Sequence, residues 1–146
     1  MAWCLWLFGA STCFVQRVLA AENKGELSFQ VQLIWGTNGE KPPGKDLKDV
    51  EQRIKEALKG IFKWKNYFEV TRKTLKVPAK ATQQLQLSDK CQVVVQNLGN
   101  SSAQIKLLGE GKCVNTRKES ITPGKLITIA GEDKNDTAWF VVLKAQ

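Results

Sequence analysis

Ile61-Phe62-Lys63-Trp64-Lys65-Asn66-Tyr67-Phe68-Glu69-Val70 divides the chain into two kinds of sequence. Helical spacing of apolar residues precedes it, and strand spacing follows it. Beyond residue 21 the chain has eight aromatic residues, and four of them (Phe62, Trp64, Tyr67 and Phe68) lie in this stretch. Large rings remove the most area from water per residue, so the core is expected to condense here. In strand phase, Trp64, Phe68 and Val70 share a face with Asn66 and Arg72. Lys63, Lys65 and Tyr67 share the opposite face with Glu69 and Thr71. The outer face reads in two ways: two lysines flanking a tyrosine form a binding strip for an acidic or sugar ligand, or they simply keep that face wet. After Val70 the apolar phase flips, because Leu75 and Val77 occupy odd positions. A slip of one residue exchanges the faces of a strand, so a bulge or tight turn is expected near Thr71-Arg72-Lys73-Thr74.

Upstream, Leu47, Val50, Ile54, Ala57, Leu58 and Ile61 recur at helical spacing. Asp46 is placed as the N-cap, Glu51 and Lys55 as an i, i+4 pair, and Gly60 as the terminator. The helix is expected over about 46–59, packed on a sheet, with a membrane-surface helix as the alternative. Before it, Gly36 to Gly44 carries three glycines and two prolines and reads as an exposed loop. Earlier still, Leu27, Phe29, Val31, Leu33 and Trp35 alternate with Ser28, Gln30 and Gln32, the pattern of a strand with one buried face.

Downstream, strand signals recur between turn residues over 64–143. Leu85 and Leu87 mark one strand, and Cys91 to Leu98 another. Ala103, Ile105 and Leu107 form the inner face of a third. Gly109-Glu110-Gly111-Lys112 is a hairpin signal. Lys112 to Ser120 is polar enough for an edge, with Arg117 and Lys118 guarding it. Leu126–Ala130 and Thr137–Leu143 close the fold. This spacing argues an α+β domain: mainly an antiparallel β-sandwich of about seven to eight strands, with one amphipathic helix near the N-terminus.

Trp3 to Val15 is a mostly apolar run too short to span a bilayer comfortably, followed by Val18-Leu19-Ala20-Ala21-Glu22 with small residues at a cleavage site. Residues 1–21 read as a secretory signal peptide and 22–146 as a single domain. No Lys or Arg precedes the apolar run, and Arg17 follows it, so an uncleaved anchor and a truncated longer signal stay open. Export discards Cys4 and Cys13 and leaves Cys91 and Cys113 in an oxidising compartment. A Cys91–Cys113 disulfide or two small thiols both fit. Strands flanking a third in a meander lie about 9.5 Å apart, whereas a disulfide wants Cα atoms within about 7 Å.

Composition limits the chemistry. The chain has 22 basic and 14 acidic residues; without Arg17 the mature part keeps 21 basic residues, a net of +7. The excess permits an anionic partner or serves solubility. Histidine is absent from all 146 residues, which removes His-based acid–base catalysis, His-dependent triads and His-ligated metals. Two cysteines without histidine or a C-x-x-C pair do not make a zinc site. Glu132, Asp133 and Asp136 lack calcium-loop spacing and read as an acidic turn. Asn100-Ser101-Ser102 and Asn135-Asp136-Thr137 match the glycosylation pattern and read equally as turns. No phosphate-binding loop, dinucleotide fingerprint or nucleophile elbow occurs. The acidic residues, Glu69 among them, all sit beside turns or on faces that read as exposed.

Phe62–Val70, together with Asp133–Leu143, resembles segments of small exported bacterial proteins without an assigned activity, over roughly residues 28–145. The resemblance implies bacterial export and therefore no glycosylation; it implies no ligand or site residue. The expectation is a non-catalytic exported binding or interaction domain of the bacterial cell envelope. Its partner would be anionic envelope material or another envelope protein, with no cofactor and only transient membrane contact through the signal peptide. The candidate ligand-binding residues are Lys63, Lys65 and Tyr67. The alternatives are a small secreted hydrolase or lyase using Glu, Asp or Lys, and a basic nucleic-acid-binding domain, which export disfavours.

Overall fold

The computed structural model describes residues 25–131 and 137–146. The signal-peptide reading, the acidic turn at Glu132, Asp133 and Asp136, and the Asn135 sequon fall outside these residues. The described part contains nine strands and one helix: β1 (Leu27–Thr37), β2 (Lys48–Asp49), α1 (Gln52–Ile61), β3 (Asn66–Val77), β4 (Thr82–Gln86), β5 (Cys91–Gly99), β6 (Ser102–Gly109), β7 (Lys112–Ser120), β8 (Leu126–Ala130) and β9 (Thr137–Ala145). All pairings are antiparallel. They form a five-stranded sheet in the order β2-β3-β1-β9-β8 and a four-stranded sheet in the order β4-β5-β6-β7.

The alternation in β1 sets the layers. Phe29, Val31 and Leu33 meet Val93, Val95, Ile105 and Leu107 of the four-stranded sheet in one buried cluster. On the other face of the five-stranded sheet, Ile34, Phe140 and Val142 join Ile54 and Leu58 of α1 in a second cluster. Each cluster takes alternate residues of β9, as the two-residue strand period requires. Burial of apolar side chains on both faces of β1 and β9 holds the three layers together.

The seams between the sheets are bridged by side chains. Lys73 Nζ donates to the Gln86 carbonyl at 2.6 Å, linking β3 to β4, and Arg117 Nη1 donates to the Thr128 carbonyl at 2.9 Å, linking β7 to β8. Arg117, expected to guard an edge, thus occupies a backbone acceptor that another strand could otherwise use.

Several expectations are corrected. The helix sits mid-chain at Gln52–Ile61 rather than 46–59 near the N-terminus, with Glu51 at its N-cap position. Lys48 and Asp49 instead pair with Glu69 and Phe68, which holds that segment extended and moves the helix start. Glu51 forms its ion pair with Arg72 at 3.0 Å rather than with Lys55, and Gly60 lies within the last turn. The β3 irregularity falls at Val70: Leu33 pairs with Thr71 and Ile34 with Glu69, leaving Val70 as the extra residue. Glu69 is buried, and Arg72 holds it through Nε at 3.0 and 3.1 Å and Nη2 at 2.6 Å. Cys91 and Cys113 are free thiols, the first buried and the second exposed. The reason is the meander itself: β6 lies between the strands that carry them, and two strand spacings exceed the reach of a disulfide.

Candidate functional site

The Lys63-Lys65-Tyr67 strip does not form. Lys63 and Lys65 precede β3 and are exposed, whereas Tyr67 is buried in the core beneath α1. The Tyr67 hydroxyl donates to the Phe62 carbonyl at 3.4 Å, and burial raises its pKa, partly offset by hydrogen bonding to the Trp64 backbone. Lys63 Nζ sits 5.7 Å from the Trp64 ring centroid, beside a hollow of about 480 Å³ shared with Phe62 and Phe140. Lys65 and Tyr67 do not reach that hollow.

The larger recess is elsewhere, at one end of the gap between the sheets. It is a cleft of about 1070 Å³. The five-stranded sheet contributes Leu33, Trp35, Val70 and Trp139, and the segment before β2 contributes Lys45, Asp46 and Leu47. The opposite wall comes from Ser88, Lys90 and Cys91 at the start of β5 and from the β6–β7 hairpin, Gly109 to Val114.

Two indoles of an aromatic row, Trp35 and Trp139, line the floor. Trp35 pairs with Phe68 across β3 and with Trp139 across β9. Direct cross-strand partners project to the same side of a sheet, with Cβ atoms about 5 Å apart. The Trp35 and Phe68 rings stand 6.2 Å apart at a tilt of 35°. Phe68 is buried, while Trp35 and Trp139 keep part of their surface open.

Trp139 is seated by sequence. Its indole lies flat over Gly131: a Cβ placed there would fall well inside 3.0 Å of three ring atoms, Cε2, Cδ2 and Cζ2. Gly109 borders the outer edge of the same ring, where an added Cβ would stand 3.4 Å from Cζ2. The Gly131 amide also donates to the Trp139 carbonyl at 2.8 Å. The bare backbone therefore makes a slot that fixes the ring before any ligand arrives, and fixed rings lose less entropy on binding.

Charges ring the mouth. Lys90 and Glu110 pair at 3.5 Å. Lys45 Nζ stands 5.9 Å from the Trp35 ring centroid. Lys112 and Asp46 complete the rim, both exposed. Cys91 lies in the wall, and burial pushes its thiol up to about 11. Cys113 lies at the hairpin with Sγ 3.3 Å from the Thr116 hydroxyl.

The sequence reading missed this site because its walls come from six separate segments. The usable signal was Trp35 at the end of an alternating strand and Trp139 after a glycine-bounded turn. Comparison of the chain with protein-family models, with curated proteins and with solved structures finds no match.

Proposed function

We propose that the chain is a non-catalytic, exported binding domain of the bacterial cell envelope, a β-sandwich whose ligand sits in the cleft floored by Trp35 and Trp139. The observation that carries this reading is the fixed, half-open tryptophan pair at the end of a recess large enough for a small molecule. Small-molecule sites occupy roughly 300–1,000 Å³ and combine apolar walls with a few polar groups at the rim, as this cleft does.

The same residues disfavour catalysis. The chain has no histidine. The two carboxylates at the cleft, Asp46 and Glu110, are exposed, and Glu110 already holds Lys90. Export rests on the apolar run and small-residue cleavage pattern of residues 1–21.

Val70 provides the test, because it lines the cleft and is 41% exposed, so a large ring there fills the recess without disturbing the core. The neutral dye N-phenyl-1-naphthylamine is expected to bind the wild type saturably, one to one, and to lose that binding in Val70→Trp. Dye binding unchanged in Val70→Trp, or none in the wild type, overturns the cleft as the binding site. Export is checked by the intact mass of protein recovered from its host, expected to begin at Ala21 or Glu22; a mass retaining Met1 refutes it.

A further inference from the structure

We propose that the ligand is an amphipathic monoanion, an acyl or aryl chain ending in a carboxylate. This rests on the cleft reading above and adds the chemistry of the occupant.

The floor favours an apolar body over a strongly hydroxylated one. Leu33, Leu47, Val70 and the two indoles present hydrocarbon and ring faces. A sugar laid across them would give up water at several hydroxyls without replacement, and each unpaired polar group costs free energy on burial. An acyl chain or a flat aromatic body gives up none. It gains from area removed from water and from contact with rings already held in place by Gly131.

The rim selects the sign of the head group. Of three lysines and two carboxylates around the mouth, Lys90 and Glu110 satisfy each other at 3.5 Å. That leaves Lys45 and Lys112 facing Asp46. Neither lysine makes an ion pair within 4.0 Å among the described residues. Lys45 is steered over the cleft by its position above the Trp35 ring, at 5.9 Å. One cation remains beyond neutrality, so a single negative charge balances the mouth while the body fills the apolar floor. A quaternary ammonium head would meet two amines against one carboxylate and is disfavoured.

The experiment compares three probes of one chain length by calorimetric titration: decanoate, 1-decanol and decyltrimethylammonium. Decanoate is expected to bind one to one and at least tenfold more tightly than either of the others. The double variant Lys45→Gln/Lys112→Gln changes two exposed side chains and preserves the fold. It is expected to weaken decanoate about tenfold and leave decanol unchanged. Decanol or the ammonium probe binding as tightly as decanoate overturns the anion assignment and leaves the cleft as a binding site. Decanoate binding that the double variant does not weaken also overturns it. If none of the three binds, the anion assignment and the binding reading both fall.

Discussion

Gly131→Ala tests the tryptophan slot with one methyl group. The added Cβ overlaps three atoms of the Trp139 indole, and Gly131 is not at positive φ, so the conflict is purely steric. The ring has to move on the order of 1 Å to restore van der Waals separation, and overpacking of this kind costs about 1–3 kcal/mol. Alanine recovers about 0.5–1 kcal/mol by restricting the unfolded chain. The net expectation is a loss of about 1–2 kcal/mol, or roughly 3–8 °C in Tm for a domain of this size. Trp139 lines the cleft, so a ring pushed off Gly131 towards it meets water and tryptophan emission shifts to the red. Gly60→Ala supplies the control. Gly60 is exposed in the last turn of α1 with nothing within 4 Å of an added Cβ, so alanine there gains about 0.5–1 kcal/mol of helix propensity. The same chemical change thus has opposite signs at two sites, read by differential scanning calorimetry and fluorescence. A Gly131→Ala protein as stable as wild type, with unshifted emission, refutes the slot.

Four further outcomes follow from the buried polar groups and the thiols. At neutral pH an alkylating reagent labels exposed Cys113 within minutes and buried Cys91 far more slowly, as mass spectrometry will show; equal rates contradict their placement. Because Cys91 ionises near 9.0 unfolded but only at about 11 folded, its neutral thiol contributes fully below pH 9. That contribution is lost as pH rises towards 11, a loss on the order of 2–3 kcal/mol that Cys91→Ala abolishes; an identical alkaline profile in the variant contradicts this. Gln32 is buried, and neither atom of its amide has a protein hydrogen-bond partner, so Gln32→Met gains about 1 kcal/mol in urea unfolding; a loss above that size reveals a polar role for the amide. Glu69→Gln removes the charge that Arg72 grips through three hydrogen bonds and costs about 1–3 kcal/mol, where a loss below 0.5 kcal/mol would show the buried pair to be nearly neutral.

Local signals were legible wherever the local rule governed. Leu27 to Trp35 alternates because Phe29, Val31 and Leu33 face the sandwich, although the opposite face, read as open, is buried too at Gln32 and Ile34; Gly109 to Lys112 turns because Glu110 and Gly111 adopt positive φ. Antiparallel strands in two sheets with one short helix follow from those cues. Long-range effects were not legible. Asp46 and Asp49 mimic a helix start, yet pairing of Lys48 and Asp49 with β3 pulls that segment straight. Tyr67 falls on the face opposite Phe68, as strand phase requires, but α1 covers that face, and nothing near Tyr67 in the sequence signals it. Glu69 looked exposed because nothing local announces Arg72 folding back over it. The cleft is legible only after Trp35 and Trp139, more than a hundred residues apart, become partners in neighbouring strands.

The most direct test uses the tryptophans themselves. The described residues contain Trp35 and Trp139 in the cleft and Trp64 in the separate core beneath α1. Indole N–H signals in a ¹H–¹⁵N spectrum, assigned by single substitutions and followed during titration with decanoate, report each ring separately. The account predicts saturable shifts of Trp35 and Trp139 with Trp64 unmoved. Shifts centred on Trp64, or no shift at any of the three, contradict it.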